Sequence, residues 1–235
     1  MFRALVKRPL NKIGIDLVRY YPRYEMGMYA FLQTLEIATV LDVGAHSGEF
    51  AQMIKKTVPQ AQIISFEPLK KEFTELQQRM GNIEGFTAFN FALGDQDGSA
   101  TMNRSEYSQS SSLLPMANLH KAAFPESANH TEETVEVRRL DDALRDRELQ
   151  REILLKIDVQ GYEDHVIAGG PQTIAQSAAI IIEVSFREVY EGQPLFDQTY
   201  QLLKTKGFHY MGNLYQLLNP LDGSPLQADA LFIRQ

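Results

Sequence analysis

The sequence predicts an α/β fold built on a doubly wound, mostly parallel sheet of seven strands. Short, β-branched apolar runs alternate with segments of helical spacing from residue 39 onward. The runs are apolar at nearly every position, as expected when helices cover both faces of a parallel sheet. The last two runs have no helical segment between them, which predicts an antiparallel C-terminal strand. The predicted strands are residues 39–43, 61–66, 86–91, 153–159, 178–184, 208–214 and 228–233.

Apolar residues recur at helical spacing between these strands. The predicted helices are residues 48–57, 69–80, 161–175 and 196–205. The third of them contains Gly169, Gly170 and Pro171, which should break it part-way. Right-handed crossovers through the helices would place the strands side by side in one sheet.

The chain of 235 residues, 44% of them hydrophobic, is long enough to bury one substantial core. We expect an N-terminal helical extension, residues 1–37, packed on a single domain of residues 38–235. Within that domain, residues 104–131 are polar and irregular. Their length is typical of an active-site lid or a substrate-binding loop.

Composition excludes several classes of function. A formal net charge of −7 argues against binding to the phosphate backbone of a nucleic acid. The absence of cysteine excludes disulfides, zinc–thiolate sites and cysteine nucleophiles. Charged residues interrupt the basic N-terminal segment, and no stretch approaches the roughly 18 apolar residues of a membrane span. We therefore expect no membrane span and a cytoplasmic location.

A strand, a glycine turn and a helix succeed one another in the stretch VLDVGAHSGEF, residues 40–50. Asp42 ends the apolar run, and Gly44 and Gly48 follow at a spacing of four. Ligands of doubly wound sheets bind at the carboxyl ends of the strands, where this turn is predicted to lie. The amide groups that begin a helix also favour a carboxylate or a phosphate.

Three glycine patterns compete to explain this turn. The phosphate loop of nucleotide hydrolases requires a lysine directly after its last glycine, and Gly48 is followed by glutamate. The dinucleotide pattern requires glycine at position 46, where this chain has His46. The third pattern combines the turn with an acidic residue that closes the second strand, and Glu67 supplies it. Such a carboxylate can accept hydrogen bonds from both hydroxyl groups of a ribose.

Five motifs in this order resemble the FkbM-type family of S-adenosylmethionine-dependent methyltransferases: LDVGAHSGEF, SFEP, NFALGDQDG, LLKIDVQGYE and IIIEV. The similarity extends from about residue 40 to residue 184. It implies a class I methyltransferase fold, which is Rossmann-like, and S-adenosyl-L-methionine as cofactor. It also implies methyl transfer to a hydroxyl oxygen of a sugar, glycan or polyketide-like small molecule.

The resemblance also implies a set of cofactor-binding residues. Those expected to line the methionine part of the cofactor are Asp42, Gly44, Ala45, His46 and Gly48. Glu67 is expected to hold the ribose with Pro68 turning the chain beneath it, and Ala92 and Leu93 are expected to flank the adenine. The chain has His46 where the family often has asparagine, and Gln160 where the family commonly has an acidic residue.

Candidate catalytic residues follow the fourth and fifth long strands of the sequence. Lys156 and Asp158 lie two apart on a strand and therefore share one side of it. Glu183 ends the next apolar run, one strand-helix-strand unit later. His165, at the start of the intervening helix, is an alternative general base. Because an alcohol is a poor nucleophile, a base or a metal ion beside it would help.

Several alternatives stay open at this stage. Asp158 and Glu183 could bind acceptor hydroxyls directly, act as a base or hold a divalent cation, and we favour the first two over the metal. The pairing of Lys156 with Asp158 could also be structural charge compensation. Other functions to weigh are a NAD(P)-dependent Rossmann oxidoreductase and a non-catalytic binding protein of the same fold. A small-molecule or glycan acceptor is the expected partner, and the sequence leaves the oligomeric state open.

Overall fold

A computed structural model of the protein describes residues 29–105, 108–127 and 129–234. The strands are β1 Thr39–Val43, β2 Gln62–Phe66, β3 Phe86–Phe89, β4 Ala92–Gly94, β5 Gly98–Ser105, β6 His130–Arg139, β7 Ile153–Ile157, β8 Ser177–Ser185, β9 Phe208–Leu218 and β10 Pro225–Arg234. The α-helices are α1 Glu49–Thr57, α2 Lys70–Met80, α3 Asn118–Ala123, α4 Leu140–Leu144, α5 Glu163–Gly169, α6 Pro171–Gln176 and α7 Phe196–Thr205. The helix predicted for residues 161–175 is broken at Gly170, as its glycines and proline indicated.

Seven strands form the main sheet in the order β3-β2-β1-β7-β8-β10-β9. The first five of these strands are parallel to one another, and β10 is antiparallel to both β8 and β9. The prediction of a doubly wound, mostly parallel sheet with an antiparallel C-terminal strand is confirmed. Since β1 lies beside both β2 and β7, the chain reverses its direction of winding there, and ligands of such sheets bind at that point.

The core lies on both faces of the sheet. All five residues of β1 and all five of β7 are buried. Successive residues of a strand point to opposite faces, so Leu154 joins one apolar cluster with Ile54 and Leu76 of the helices α1 and α2. Leu155 joins the other cluster with Val166 of α5. Burial of each such side chain contributes about 1.5–3 kcal/mol to folding.

A second sheet, with the strand order β4-β6-β5, is a feature that the sequence did not predict. The strand predicted for residues 86–91 is present but ends two residues early, because β3 ends at Phe89 and the chain enters the second sheet at Ala92. Asn90 stabilises this bend, since its side-chain amide donates to the carbonyl oxygens of Glu67 and Pro68, each at 2.9 Å.

The segment predicted to be an irregular lid, residues 104–131, is more ordered than expected. It begins within β5 and ends within β6, and the helix α3 lies between them. Short 3₁₀ turns at Ser108–Ser110 and Pro125–Ser127 flank α3. Its role as a lid stays a prediction.

Residues 1–28 of the predicted N-terminal extension lie outside the described residues. The part that is described contains a 3₁₀ helix, Ala30–Leu35, whose Leu32 is buried. In residues 29–105, 108–127 and 129–234, no helix has both the length and the apolar character that crossing a membrane requires.

Candidate functional site

A cavity of about 580 Å³ lies at the carboxyl ends of the central parallel strands. Its wall includes Gly44 after β1, Glu67 after β2, Asp158 after β7 and Glu183 near the end of β8. The volume is within the range of small-molecule sites. The sheet therefore gathers most of the predicted site residues around one space.

Gly44 permits close contact between the turns that follow β1 and β7. Its φ of +78° is in the left-handed region, and a Cβ atom there would stand 1.8 Å from the backbone oxygen of Asp158. Both Gly44 and the next residue, Ala45, donate backbone hydrogen bonds of 3.0 Å to the carbonyl of Phe66. The turn is thus fixed to its neighbours on both sides. Only glycine fits at position 44 without displacing a strand end.

Gly48 and His46 complete the glycine turn. Gly48, with φ +90°, precedes α1, and a Cβ atom there would lie 2.7 Å from the Leu76 side chain. It therefore allows α1 to pack on α2 and does not itself line the cavity. His46 lines the cavity, and its ring nitrogen lies 3.2 Å from the Ser47 hydroxyl and 3.6 Å from the Glu49 carboxylate.

Glu67 joins the glycine turn to the end of β2. Its Oε2 accepts a hydrogen bond from the backbone N–H of His46 and its Oε1 from that of Leu69, both at 2.8 Å. Burial raises the pKa of this carboxyl to about 7, although the two backbone hydrogen bonds oppose the rise. Each carboxylate oxygen keeps a further lone pair, so Glu67 can still accept two hydroxyl groups from a ligand in the cavity.

Apolar side chains form the wall beyond Glu67. Pro68, Ala92 and Leu93 lie there, and the expectation that Ala92 and Leu93 flank an adenine ring stays a prediction. Met102 and Leu113 extend the same wall. Sequence reasoning missed these two residues because they lie in β5 and in the segment after it, where the sequence pattern did not predict which strands pair.

Asp42 lies behind the cavity wall rather than on it. It is fully buried, its Oδ2 accepts a hydrogen bond of 3.2 Å from the Ser65 hydroxyl, and its Oδ1 is 3.9 Å from the Lys156 Nζ. Burial raises the pKa of Asp42, while Lys156 opposes the rise. The register that places Asp42 opposite Lys156 in neighbouring strands produces this contact.

Lys156 is the buried cation of the site. Its Nζ donates a hydrogen bond of 3.1 Å to the Asp158 Oδ2, which confirms that the two side chains share one side of the strand. Burial alone would lower the pKa of Lys156, but the negative charges of Asp158, Asp42 and Asp229 outweigh burial and raise it. The ammonium group therefore stays charged at neutral pH.

Asp158 and Glu183 lie close together and share one hydrogen-bond donor, the side chain of Gln160. Its Nε2 is 2.8 Å from the Asp158 Oδ1 and 3.1 Å from the Glu183 Oε2. Gln227 of β10 donates a second hydrogen bond to the Glu183 Oε2, at 2.7 Å. Burial raises the pKa of Glu183 well above its ordinary value, and the neighbouring Asp158 raises it further. Glu183 therefore holds a proton more readily than an ordinary glutamate does.

Acidic and polar groups from other elements surround this pair. Asp229, opposite Glu183 in the β8–β10 register, has a pKa raised to about 6 by burial and by Asp158. Tyr190 donates a hydrogen bond of 2.8 Å to the Gln160 Oε1. Sequence reasoning missed Asp229, Tyr190 and Gln227, because the fold of the C-terminal hairpin and of the loop after β8 brings them here.

Glu163 supports the turn between β7 and α5. Its Oε1 accepts backbone hydrogen bonds from Val159 at 3.0 Å and from Gly161 at 3.1 Å. Burial raises the pKa of Glu163 to about 7, and the two backbone hydrogen bonds oppose that rise. An acidic residue two positions after a turn glycine, at a helix start, is the sequence signal that identifies this role.

The predicted base His165 does not line the cavity. Its ring stacks on that of Tyr162 with a centroid distance of 4.0 Å, and its Nδ1 lies 3.4 Å from the Asp95 carboxylate. His120 of α3 lines the cavity instead and is only 3% exposed. Burial lowers its pKa to about 4, so its ring is neutral at pH 7.

Metal ligands are not assembled in the part of the chain that the structure describes. Within it, no group of three or more histidine, aspartate and glutamate side chains is arranged to hold a metal ion. Lys156 and Gln160 lie instead against the carboxylates of the site.

Known proteins resemble the chain in sequence. The 2-O-methyltransferase NoeI of Sinorhizobium fredii is 32% identical over 161 residues, which span 66% of this chain and 66% of that protein. Methyltransferase 1 of Beauveria bassiana is 29% identical over 182 residues, 72% of this chain and 71% of its own length. The match therefore spans about two thirds of the NoeI protein and slightly more of the fungal one.

The fold is also similar to that of a solved structure, the methyltransferase FkbM from Methylobacillus flagellatus KT. The TM-score is 0.52 at 11% sequence identity, and the alignment covers 84% of this chain and 44% of that one. At this identity the likeness concerns the fold alone. The sequence model of the methyltransferase FkbM domain matches residues 42–210, which is more than half of the chain. The chain therefore belongs to the FkbM methyltransferase domain family.

Proposed function

We propose that this methyltransferase uses S-adenosyl-L-methionine to methylate a hydroxyl oxygen of a small-molecule or glycan acceptor. The observation that carries the proposal is one cavity lined by two chemically different sets of groups, which we call its donor end and its acceptor end. The donor end comprises the glycine turn and Glu67 with the apolar wall of Ala92 and Leu93. The acceptor end comprises the hydrogen-bonded carboxyls of Asp158 and Glu183, and it adjoins the donor end where Gly44 contacts the backbone of Asp158.

The first end fits the cofactor. Gly44, Ala45 and His46 line the cavity, so a ligand can approach the backbone of the turn. Glu67 has lone pairs for two ribose hydroxyls, and Ala92, Leu93 and Met102 offer an apolar surface for a purine. When bound, S-adenosyl-L-methionine supplies a methyl group on a positively charged sulfur.

The second end fits an alcohol that must lose a proton. Asp158 is the base in this proposal, since it lines the cavity and its carboxylate is held by Lys156 on one oxygen and Gln160 on the other. In that role it would accept the hydroxyl proton as the methyl group passes from the sulfur, whose bond to carbon breaks, to the acceptor oxygen. Glu183 binds a neighbouring hydroxyl and fixes the acceptor in place, because positioning supplies much of the catalysis of such a displacement.

The acceptor class rests on the relatives and on the wall of the cavity. The name of the NoeI protein states a 2-O-methyltransferase, which favours oxygen over nitrogen as the methylated atom. The acceptor end offers carboxyls, the amide of Gln227 and the phenol of Tyr215, which suit a polyhydroxyl compound such as a sugar. A polyketide-like alcohol fits the same chemistry.

Calorimetric titration with S-adenosylhomocysteine tests the cofactor assignment. We expect one molecule to bind per chain, and Glu67→Gln to weaken binding by about tenfold or more, because a charged acceptor of two hydroxyl groups is lost. Glu75→Gln is the matched control, since Glu75 is an exposed glutamate of α2 whose change should leave the affinity unaltered. A folded protein that does not bind S-adenosylhomocysteine would contradict the proposal.

A further inference from the structure

The side-chain amide of Gln160 occupies the gap between the two carboxyls of the acceptor end. Its single nitrogen reaches the Asp158 Oδ1 at 2.8 Å and the Glu183 Oε2 at 3.1 Å. An amide NH₂ group has two hydrogens, one for each carboxyl. Gln160 lies in the turn after β7, and its side chain thus connects the ends of β7 and β8.

Neighbouring groups fix the orientation of this amide. Only the NH₂ end can donate to both carboxyls, and the opposite oxygen accepts the hydrogen bond of 2.8 Å from the Tyr190 hydroxyl. Tyr190 is fully buried, so its ring cannot move away. A swap of the amide ends would place an oxygen against two carboxyls and break both hydrogen bonds to them.

The backbone of Gln160 is also held in place. Its φ is +57°, in the left-handed region that an L residue occupies only at a cost. The Ser112 hydroxyl donates a hydrogen bond of 2.6 Å to the Gln160 carbonyl, and Glu163 accepts the N–H groups of the residues on either side. The surrounding structure therefore determines where the amide nitrogen lies.

Two carboxyls that face one small gap are an arrangement that a divalent cation can bridge, although no set of three such ligands is assembled within the described residues. We propose that Gln160 is a positioning residue whose amide cross-links Asp158 and Glu183 in the place where a divalent cation would otherwise join them. The inference rests on the proposed role of these carboxyls at the acceptor end. It explains how the pair keeps a fixed spacing through hydrogen bonds.

Binding of Mn²⁺ tests this proposal, because replacing the amide by a carboxylate should create the missing cation site. We expect the wild-type protein to bind Mn²⁺ at least tenfold more weakly than Gln160→Glu, measured by electron paramagnetic resonance of free Mn²⁺. Gln227→Glu is the matched control, since Gln227 donates only to Glu183 and does not reach Asp158. It should resemble the wild type, and adding Asp158→Asn to Gln160→Glu should abolish the gain.

Two results would overturn the proposal. One is wild-type binding of Mn²⁺ as tight as that of Gln160→Glu and lost in Asp158→Asn. The other is a Gln160→Glu variant, folded by circular dichroism, that binds Mn²⁺ no better than Gln227→Glu. Should Gln160→Glu not fold, Gln160→Ala serves instead, with tighter Mn²⁺ binding than wild type expected and equal binding contradicting the proposal. Neither measurement uses S-adenosylhomocysteine, so a failed cofactor titration remains a separate result.

Discussion

At the scale of single residues, Gly44 is where the turn after β1 touches the backbone of Asp158. Glycine is required there for two separate reasons, a left-handed φ of +78° and the 1.8 Å that would separate a Cβ atom from the Asp158 carbonyl oxygen. Strain of the first kind costs about 1–2 kcal/mol, and the steric overlap adds to it.

We expect Gly44→Ala to lower the free energy of unfolding by at least about 2 kcal/mol and to weaken S-adenosylhomocysteine binding. Gly192→Ala isolates the cause, because Gly192 has a similar φ of +75° but nothing within 4 Å of its added Cβ atom. Urea denaturation of both variants gives the comparison. Equal losses in the two proteins would show that backbone strain alone is responsible, against our expectation.

The titration of Glu163 should make the free energy of unfolding depend on pH. Its folded pKa, raised to about 7 by burial, exceeds the ordinary glutamate value, so the folded state binds the proton more tightly than the unfolded state. The contribution of Glu163 to stability is therefore fully present below about pH 4.5 and is lost as the pH rises to about 7.

We expect Glu163→Gln to have the same free energy of unfolding as the wild type at pH 4 and to be more stable by up to about 3 kcal/mol at pH 8. The amide oxygen can still accept the two backbone hydrogen bonds that the Oε1 accepts now. Glu188→Gln is the control, since the exposed Glu188 also accepts a backbone hydrogen bond through its Oε1, from Gly192 at 2.8 Å. A difference between Glu163→Gln and wild type that does not change with pH would contradict this assignment.

At the scale of elements, β7 joins the two halves of the sheet and carries Lys156 to the cavity. Its neighbours are β1 and β8, and Leu155 pairs with Leu41 on one side and Ile180 on the other. Because helices cover both faces, all five residues of β7 are buried. The apolar residues of β7 thus hold in register the strand that ends at Asp158.

Leu155→Ala should destabilise the protein by about 2–5 kcal/mol, since it removes a buried side chain and leaves a cavity. Leu218→Ala, at the end of the edge strand β9 where the side chain is 49% exposed, should cost well under 1 kcal/mol. The midpoints of urea unfolding measure both. A near-neutral Leu155→Ala would mean that the core closes around the missing side chain.

At the scale of the whole molecule, the sequence predicted where the main strands lie in the chain and that most of them are parallel, because the strands of a buried parallel sheet are continuous apolar runs. The glycine turn, Glu67, Asp158 and Glu183 were found by the same logic, since strand ends meet at one edge of the sheet. The cofactor and catalytic roles of these residues stay predictions. So does the expectation that the chain does not bind nucleic acid.

The rest depended on contacts between segments that are distant in the sequence. The three-stranded sheet forms because the chain bends at Asn90, and no local sequence pattern predicts that bend. Gln227 and Asp229 reach the cavity through the pairing of β10 with β8, and Tyr190, in the loop after β8, contacts Gln160 through its hydroxyl. His165 was expected at the site because it starts α5, yet its side chain points to Asp95 on the outside.

The backbone contact between Gly44 and Asp158 has a consequence for how this site could diversify. The turn after β1 would hold the methyl donor, and the turn after β7 would activate the acceptor. These turns contact each other through main-chain atoms, so side-chain changes elsewhere should leave their separation unchanged. Segments such as α3 and the β9–β10 hairpin, which supply His120 and Tyr215 to the wall, are free of that constraint. Exchange of these segments between relatives should therefore change which alcohol is methylated. The alignment of the acceptor oxygen with the methyl group should stay the same.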